Sequence, residues 1–304
     1  MNSSRPIDPI AVAITLVLCL SWAFQQIAVK FALPEVGPLG QGTVRSAGAT
    51  LLISIFILLR LRSSWVSGLN KPGLLAGTLF GVEFVLVFLS LAYTDASRAV
   101  LFIYVAPFVV AVGGHFFIPG EHMDQKSWIG TALAFVGVAV ALNPGRAVGG
   151  DMLLGDLLAL GGGILWGFTT LVIRGSRLRK APAAQVLWYQ LAISTVIFFA
   201  AGMHFDDTPF VPMGSISIAA LVYQTVWVTT ISYYIWFALI ARYSATSLSV
   251  ISFMTPIFGV VLGHLVLGEE LTSRLIFAVL AVAAGIFLVS LPRRPESANA
   301  SISP

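Results

Sequence analysis

Apolar residues in this chain do not alternate with polar ones; they run on. Ten stretches are nearly free of charge: Ile10–Val29, Leu39–Leu59, Leu74–Thr94, Ala99–Ile118 and Ser127–Asn143, then Leu157–Ile173, Ala183–Gly202, Ile216–Ala241, Thr246–Leu267 and Leu275–Leu291. A helix needs about 20 apolar residues to cross the hydrocarbon core of a bilayer. Continuous runs of that length predict membrane helices, because a barrel strand would show a ten-residue alternation instead. The fifth run is the shortest. The linkers are short and rich in Gly, Pro, Asp and Ser, so no soluble domain fits between the runs. Ile10 to Leu20 behind Arg5 has the look of a signal sequence, but the run continues to Val29 and reads as the first membrane helix.

Composition agrees. Of 304 residues 58% are hydrophobic and 10% charged, where soluble domains carry roughly 25% charged residues. The net charge of +4 does not indicate nucleic acid, since the basic residues sit between apolar runs rather than on one patch. With the N-terminus inside, the inner segments hold Arg5, Arg60, Arg62, Lys71, Lys126, Arg174, Arg177, Arg179, Lys180, Arg242, Arg293 and Arg294. The outer segments hold only Lys30, Arg98, Arg146 and Arg274, and Arg45 lies within the second run. This bias predicts that both termini are cytoplasmic. The single cysteine, Cys19, lies in the first run and has no partner for an internal disulfide. Neither a metal site nor a cofactor site is expected.

The chain repeats itself. Trp22-Ala23-Phe24-Gln25-Gln26-Ile27-Ala28-Val29-Lys30 aligns with Trp166-Gly167-Phe168-Thr169-Thr170-Leu171-Val172-Ile173-Arg174. Leu91–Ser97 aligns with Ile240–Thr246, and downstream Tyr104, Pro107, Gly114, His115 and Glu121 match Phe253, Pro256, Gly263, His264 and Glu270 without a gap. Five is an odd number, so a second five-helix copy starts on the opposite side of the membrane. The expected fold is therefore an all-α membrane protein, ten helices in two inverted repeats around a central cavity: residues 1–150, residues 151–292, and a polar cytoplasmic tail at 293–304. Inverted repeats are a common device of secondary transporters.

The paired W-x-F segments and the paired blocks Ala96–Glu121 and Ala245–Glu270 resemble the EamA family of the drug/metabolite transporter superfamily, and most closely its aromatic amino-acid exporters. The resemblance implies ten helices, cytoplasmic termini and a cavity lined by helices one to four and six to nine, with five and ten at the periphery. Arg45 departs from the symmetry, because its counterpart falls near Tyr189 or Gln190.

Several residues could carry transport. Pro107 and Pro256 lie mid-span in helices four and nine, where each removes a backbone hydrogen bond; matched interruptions of this kind point to gating, the alternative being static kinks repaired by neighbouring helices. Trp22, Gln25 and Gln26 share a helix face, as do Trp166, Thr169 and Thr170, and each face suits an amphipathic cavity or interhelical hydrogen bonding. Glu83 is the one carboxylate deep in a predicted span. It could bind a substrate ammonium, carry a coupling proton, or pair with Arg45. Arg45 could in turn hold a substrate carboxylate, or serve equally well as a structural anchor near the outer end of helix two. Gln224, Trp227, Ile231 and Tyr234 are spaced to share a face of helix eight, and Tyr104 and Phe253 precede the two prolines by three. Trp188 and Tyr189 fit an interfacial belt equally well. His115 and His264 read as packing residues, and Glu121 and Glu270 as loop anchors or helix caps.

The expected function is export of amino acids, aromatic and other neutral ones, or of related small metabolites across the cytoplasmic (inner) membrane by a monomer. Proton coupling stays open. Nucleotide-sugar or sugar-phosphate exchange would want several intramembrane cations. A non-transporting sensor is a further alternative. No P-loop, H-E-x-x-H or G-x-S-x-G is present, so neither ATP hydrolysis nor another enzymatic activity is expected.

Overall fold

The computed structural model describes residues 8–61, 65–119, 121–142, 150–205, 212–243, 248 and 251–290. Residues 244–247, 249 and 250, which include the start of the ninth predicted segment, and the tail at 293–304 lie outside the described residues, as do Arg5, Arg62, Arg146, Arg293 and Arg294. The fold is all-α. Helix α1 spans Pro9–Ala32, α2 Pro38–Phe56, α3 Asn70–Tyr93, α4 Ala96–Ile103, α5 Ala106–Phe117, α6 Gln125–Leu142 and α7 Gly150–Gly175. Then follow α8 at Ala183–Phe205, α9 at Ser215–Val222, α10 at Tyr233–Arg242, α11 at Met254–Leu267 and α12 at Ser273–Ser290. A π turn at Ile57–Leu61 extends α2, and a π-helical stretch at Tyr223–Ser232 joins α9 to α10. Among the described residues, nine helical spans are long and apolar enough to cross a membrane, α4 with α5 counting as one, and α11 is a shorter apolar helix.

Local chemistry sets the ends. The Asp8 carboxylate accepts from the Ala11 N–H at 2.8 Å and caps α1, with Pro9 at the first helical position, where its missing N–H costs nothing. Pro38 opens α2 in the same way. The fourth span breaks at Tyr104–Val105 and resumes as α5, with Pro107 in its first turn. Pro107 has no N–H for the Ile103 carbonyl. Gly163 of α7 sits against that carbonyl: a Cβ there would lie 2.6 Å from Ile103 O, so only glycine allows the approach. The ninth span turns likewise at Phe253, with Pro256 at the third position of α11.

Large apolar side chains face outward, among them Leu58, Leu59, Phe116, Phe117, Val196 and Leu265, while Gln25, Gln41, Arg45, Ser46, Glu83 and Gln224 are buried. Apolar outside and polar inside is the arrangement a lipid solvent favours, and the chain is a multi-pass membrane protein. Helix α3 packs on α7 and α8, α2 on α8 and the π stretch, and α1 on α11 and α9. Helices α4 and α5 pack on α7, and α11 on α4. Helices α6 and α12 pack chiefly on each other.

Candidate functional site

Arg45 is the largest fully buried side chain among the described residues, at the eighth position of α2, about 10 Å along the helix. Its Nε–H donates to Thr229 Oγ1 at 2.7 Å. Its guanidinium carbon lies 4.0 Å from the centre of the Phe84 ring and 5.3 Å from that of Phe88, both on α3. Among the described residues neither Nη atom has a hydrogen-bond partner, although both are buried. Glu83, next to Phe84, is 4% exposed and within electrostatic reach of Arg45, yet the two form no ion pair. Thr169 Oγ1 of α7 donates to Glu83 Oε2 at a long 3.4 Å. Tyr233, at the start of α10, completes the electrostatic neighbourhood of both charges.

Helix α2 presents Arg45 to the π stretch, and that stretch determines what it meets. In π geometry the bonds run i to i+5; Thr229 Oγ1 donates to Gln224 O and Thr230 Oγ1 to Thr225 O, both at 2.8 Å. The face expected from α periodicity therefore rotates. Tyr234 turns outward, 48% exposed, edge-on to Phe56 at 5.2 Å, and Tyr233 takes the inner position. Gln224 donates from Nε2 to Gln41 Oε1 at 3.1 Å and keeps Oε1 without a partner among the described residues. Thr229 and Tyr233 are the residues that periodicity missed, and a π register leaves no mark in the apolar pattern.

The rings divide into two groups. Trp22 Nε1 donates to Ser232 Oγ at 2.9 Å, and its ring meets Tyr233 and Trp236 edge-on. Trp227 Nε1 donates to Ser21 Oγ at 2.9 Å, so α1 and the π stretch are laced by reciprocal Trp–Ser bonds. Trp166 stands edge-on to Tyr104 at 5.6 Å, beside the break before Pro107. Phe253 leans away, onto Phe287 of α12. Gln25 and Gln26 are both buried, and among the described residues Gln25 Nε2 and Gln26 Oε1 lack partners. Trp188 and Tyr189 bond into the protein, to Ser54 Oγ at 2.9 Å and Asn70 Oδ1 at 2.8 Å.

Charged groups at the two ends of the bundle serve other purposes. At one end Glu269, rather than Glu270, accepts from the Ala96 and Ser97 N–H groups at 2.6 and 3.0 Å and caps α4. Burial and the neighbouring Glu269 push the Asp95 carboxyl above its usual range. Asp156 of α7 accepts from Thr94 and Arg98. In the loop after α1, the Ser217 hydroxyl and the Gly214 N–H hold Glu35 below the usual carboxylate range. At the other end Glu121 pairs with Arg174 at 2.5 Å. His115 Nδ1 accepts from the Met123 N–H at 3.1 Å, and His264 Nδ1 lies 2.9 Å from Glu269 O, so each histidine ties its helix to the loop that follows.

The chain matches the EamA-like transporter family twice, over residues 9–143 and 153–291. It is 27% identical over 291 residues to an uncharacterized transporter, YvbV, of Bacillus subtilis, covering 93% of this chain and 92% of that protein. An uncharacterized transporter of Archaeoglobus fulgidus is 25% identical, over 89% and 94% of the two chains. A protein of Escherichia coli named "Probable amino-acid metabolite efflux pump" is 24% identical, over 90% and 93%. One solved crystal structure superposes with a TM-score of 0.67 at 20% identity, over 93% of this chain and 96% of the other, and so shares the fold.

Proposed function

The chain belongs to the EamA-like transporter family and is a membrane transporter; from that premise we propose that it exports amino acids, aromatic and other neutral ones, or closely related metabolites. The observation that carries this reading is a set of buried polar groups that have no partner among the described residues: the Arg45 fork, Gln25 Nε2 and Gln26 Oε1. Donors and acceptors left unmade in an apolar interior are costly, and a small solute bearing both kinds of group, with rings such as Trp22 and Trp166 beside it, satisfies them. The relative named for amino-acid metabolite efflux supports the same class. A single buried arginine suits one carboxylate better than a phosphorylated sugar.

Alternating access follows from the two repeats, related by inversion. The packing supports this, because exchanging the halves maps it onto itself: α3 on α7 corresponds to the π stretch on α1, and α1 on α11 to α7 on α4 and α5. Pro107 and Pro256 mark the bends at which the two halves flex. Both termini are cytoplasmic in this scheme, and a proton is the candidate coupling ion.

The test is efflux from proteoliposomes loaded with phenylalanine, leucine or a sugar phosphate, with and without a pH gradient. Amino-acid efflux well above that of protein-free vesicles is expected. Flux of the phosphorylated solute alone would overturn the substrate class, and flux unchanged by the gradient would remove the proton.

A further inference from the structure

Arg45 and Glu83 are a guanidinium and a carboxyl group on packed helices, within electrostatic reach, and they form no ion pair with each other. Arginine keeps its charge in proteins, and its planar fork matches a carboxylate in two parallel bonds. Here the fork is held ready. Thr229 fixes Nε, and the Phe84 and Phe88 rings lie against the guanidinium. Those contacts set its plane and leave both Nη donors without an acceptor among the described residues. The nearest anionic side chain that acts on it is Glu83, whose hydrogen bond to Thr169 is long at 3.4 Å and easily given up. Tyr233 is the other titratable group facing Arg45.

We infer that Glu83 is an internal stand-in for the solute: Arg45 takes the carboxylate of the transported molecule in the loaded carrier and the Glu83 carboxylate in the empty one. This rests on the reading that the solute is an amino acid or a related carboxylate. The physical reason is charge balance. A carrier must also return empty, and an unpaired cation deep in a membrane span opposes any rearrangement that moves it. Pairing with Glu83 neutralises the empty form. Pairing with the solute releases Glu83 to the α-ammonium of the same molecule, so both buried charges stay balanced and the two carboxylates compete for one fork. The substrate class that fits is an α-carboxylate, and the same molecule with its carboxylate turned into an amide is refused.

The experiment compares homoexchange with net efflux in proteoliposomes, using phenylalanine and phenylalaninamide as probes. Wild-type protein is expected to prefer phenylalanine over the amide by roughly tenfold. In Glu83→Gln, net efflux of phenylalanine is expected to fall roughly tenfold further than exchange, because only net efflux needs the empty carrier to return. Arg45→Gln is expected to abolish the preference for the carboxylate. Equal losses of exchange and net efflux in Glu83→Gln overturn the stand-in, as does an Arg45→Gln that keeps the wild-type preference. Should Arg45→Gln fail to fold, the wild-type preference and the Glu83→Gln split decide. Amide carried as fast as phenylalanine overturns this inference and leaves amino-acid transport intact. Vesicles that carry no amino acid overturn both.

Discussion

Two buried charges in this bundle are treated in opposite ways, and on the proposed function the difference separates structure from transport. Asp156 is saturated: Thr94 Oγ1 donates at 2.6 Å, Arg98 Nε at 3.1 Å, and Arg98 Nη2 bonds both the carboxylate and Ala141 O. Removing one partner of such a pair strands the other, at about 3–5 kcal/mol. Asp156→Ala should therefore lower the unfolding free energy in detergent by about that much, measured by denaturant titration. Arg45 is the reverse case. Its Nη donors have no partner among the described residues, so Arg45→Met combined with Glu83→Gln, which strands no carboxylate, should leave stability unchanged within about 1 kcal/mol, while phenylalanine flux disappears. A strongly destabilised double variant would mean that the arginine supports the fold. Arg45 and Glu83 were legible in the sequence because a charge inside an apolar run is conspicuous. Asp156 was not, because it stands just before the predicted segment at Leu157, whereas α7 begins at Gly150. Its burial depends on Thr94 and Arg98, both from far along the chain.

At the scale of elements, the apolar runs gave nearly all of the helices, since twenty apolar residues have few other fates in this chain. The matched prolines gave the two breaks, at Tyr104–Val105 and Phe253. The eighth span is where periodicity misled. Its sequence reads as α, with Gln224, Trp227, Ile231 and Tyr234 on one face, but the π register brings Thr229 to Arg45 and turns Tyr234 outward. Nothing in the residue pattern distinguishes the two registers; the choice comes from packing against α2 and α1. π segments recur at functional sites because the extra residue re-aims a side chain. Deleting one outward-facing residue, Val226, should return the stretch to α geometry and withdraw Thr229 from Arg45. The expected result is a protein that inserts and purifies normally but carries phenylalanine roughly tenfold more slowly, whereas Val226→Ala behaves as wild type. Equal flux from the deletion variant would show that the register does not matter to transport.

For the molecule as a whole, the alternating access proposed above requires the halves to part at each end in turn, and α4 against α11 is one contact between them that would have to open. Helices α4 and α11, the half-spans on either side of the two prolines, press together through Val100 and Gly259. A Cβ at Gly259 would lie 3.2 Å from Val100 Cβ, so glycine is what permits the contact. Glu269 adds to this contact by capping α4 from the loop after α11. Bridged cysteines need Cβ atoms about 3.5–4.5 Å apart, so a small outward shift makes Val100→Cys with Gly259→Cys a disulfide across this contact. The background should be Cys19→Ser, which removes the chain's single native thiol. If transport requires α4 and α11 to separate, oxidation should stop both exchange and net efflux, and reduction should restore them. The two single-cysteine variants should ignore the oxidant. An oxidised, fully cross-linked carrier that still moved phenylalanine would place the moving interface elsewhere. The bends at Pro107 and Pro256 would then act within each half rather than between the halves, and the stand-in at Glu83 would have to work without a large change in the bundle.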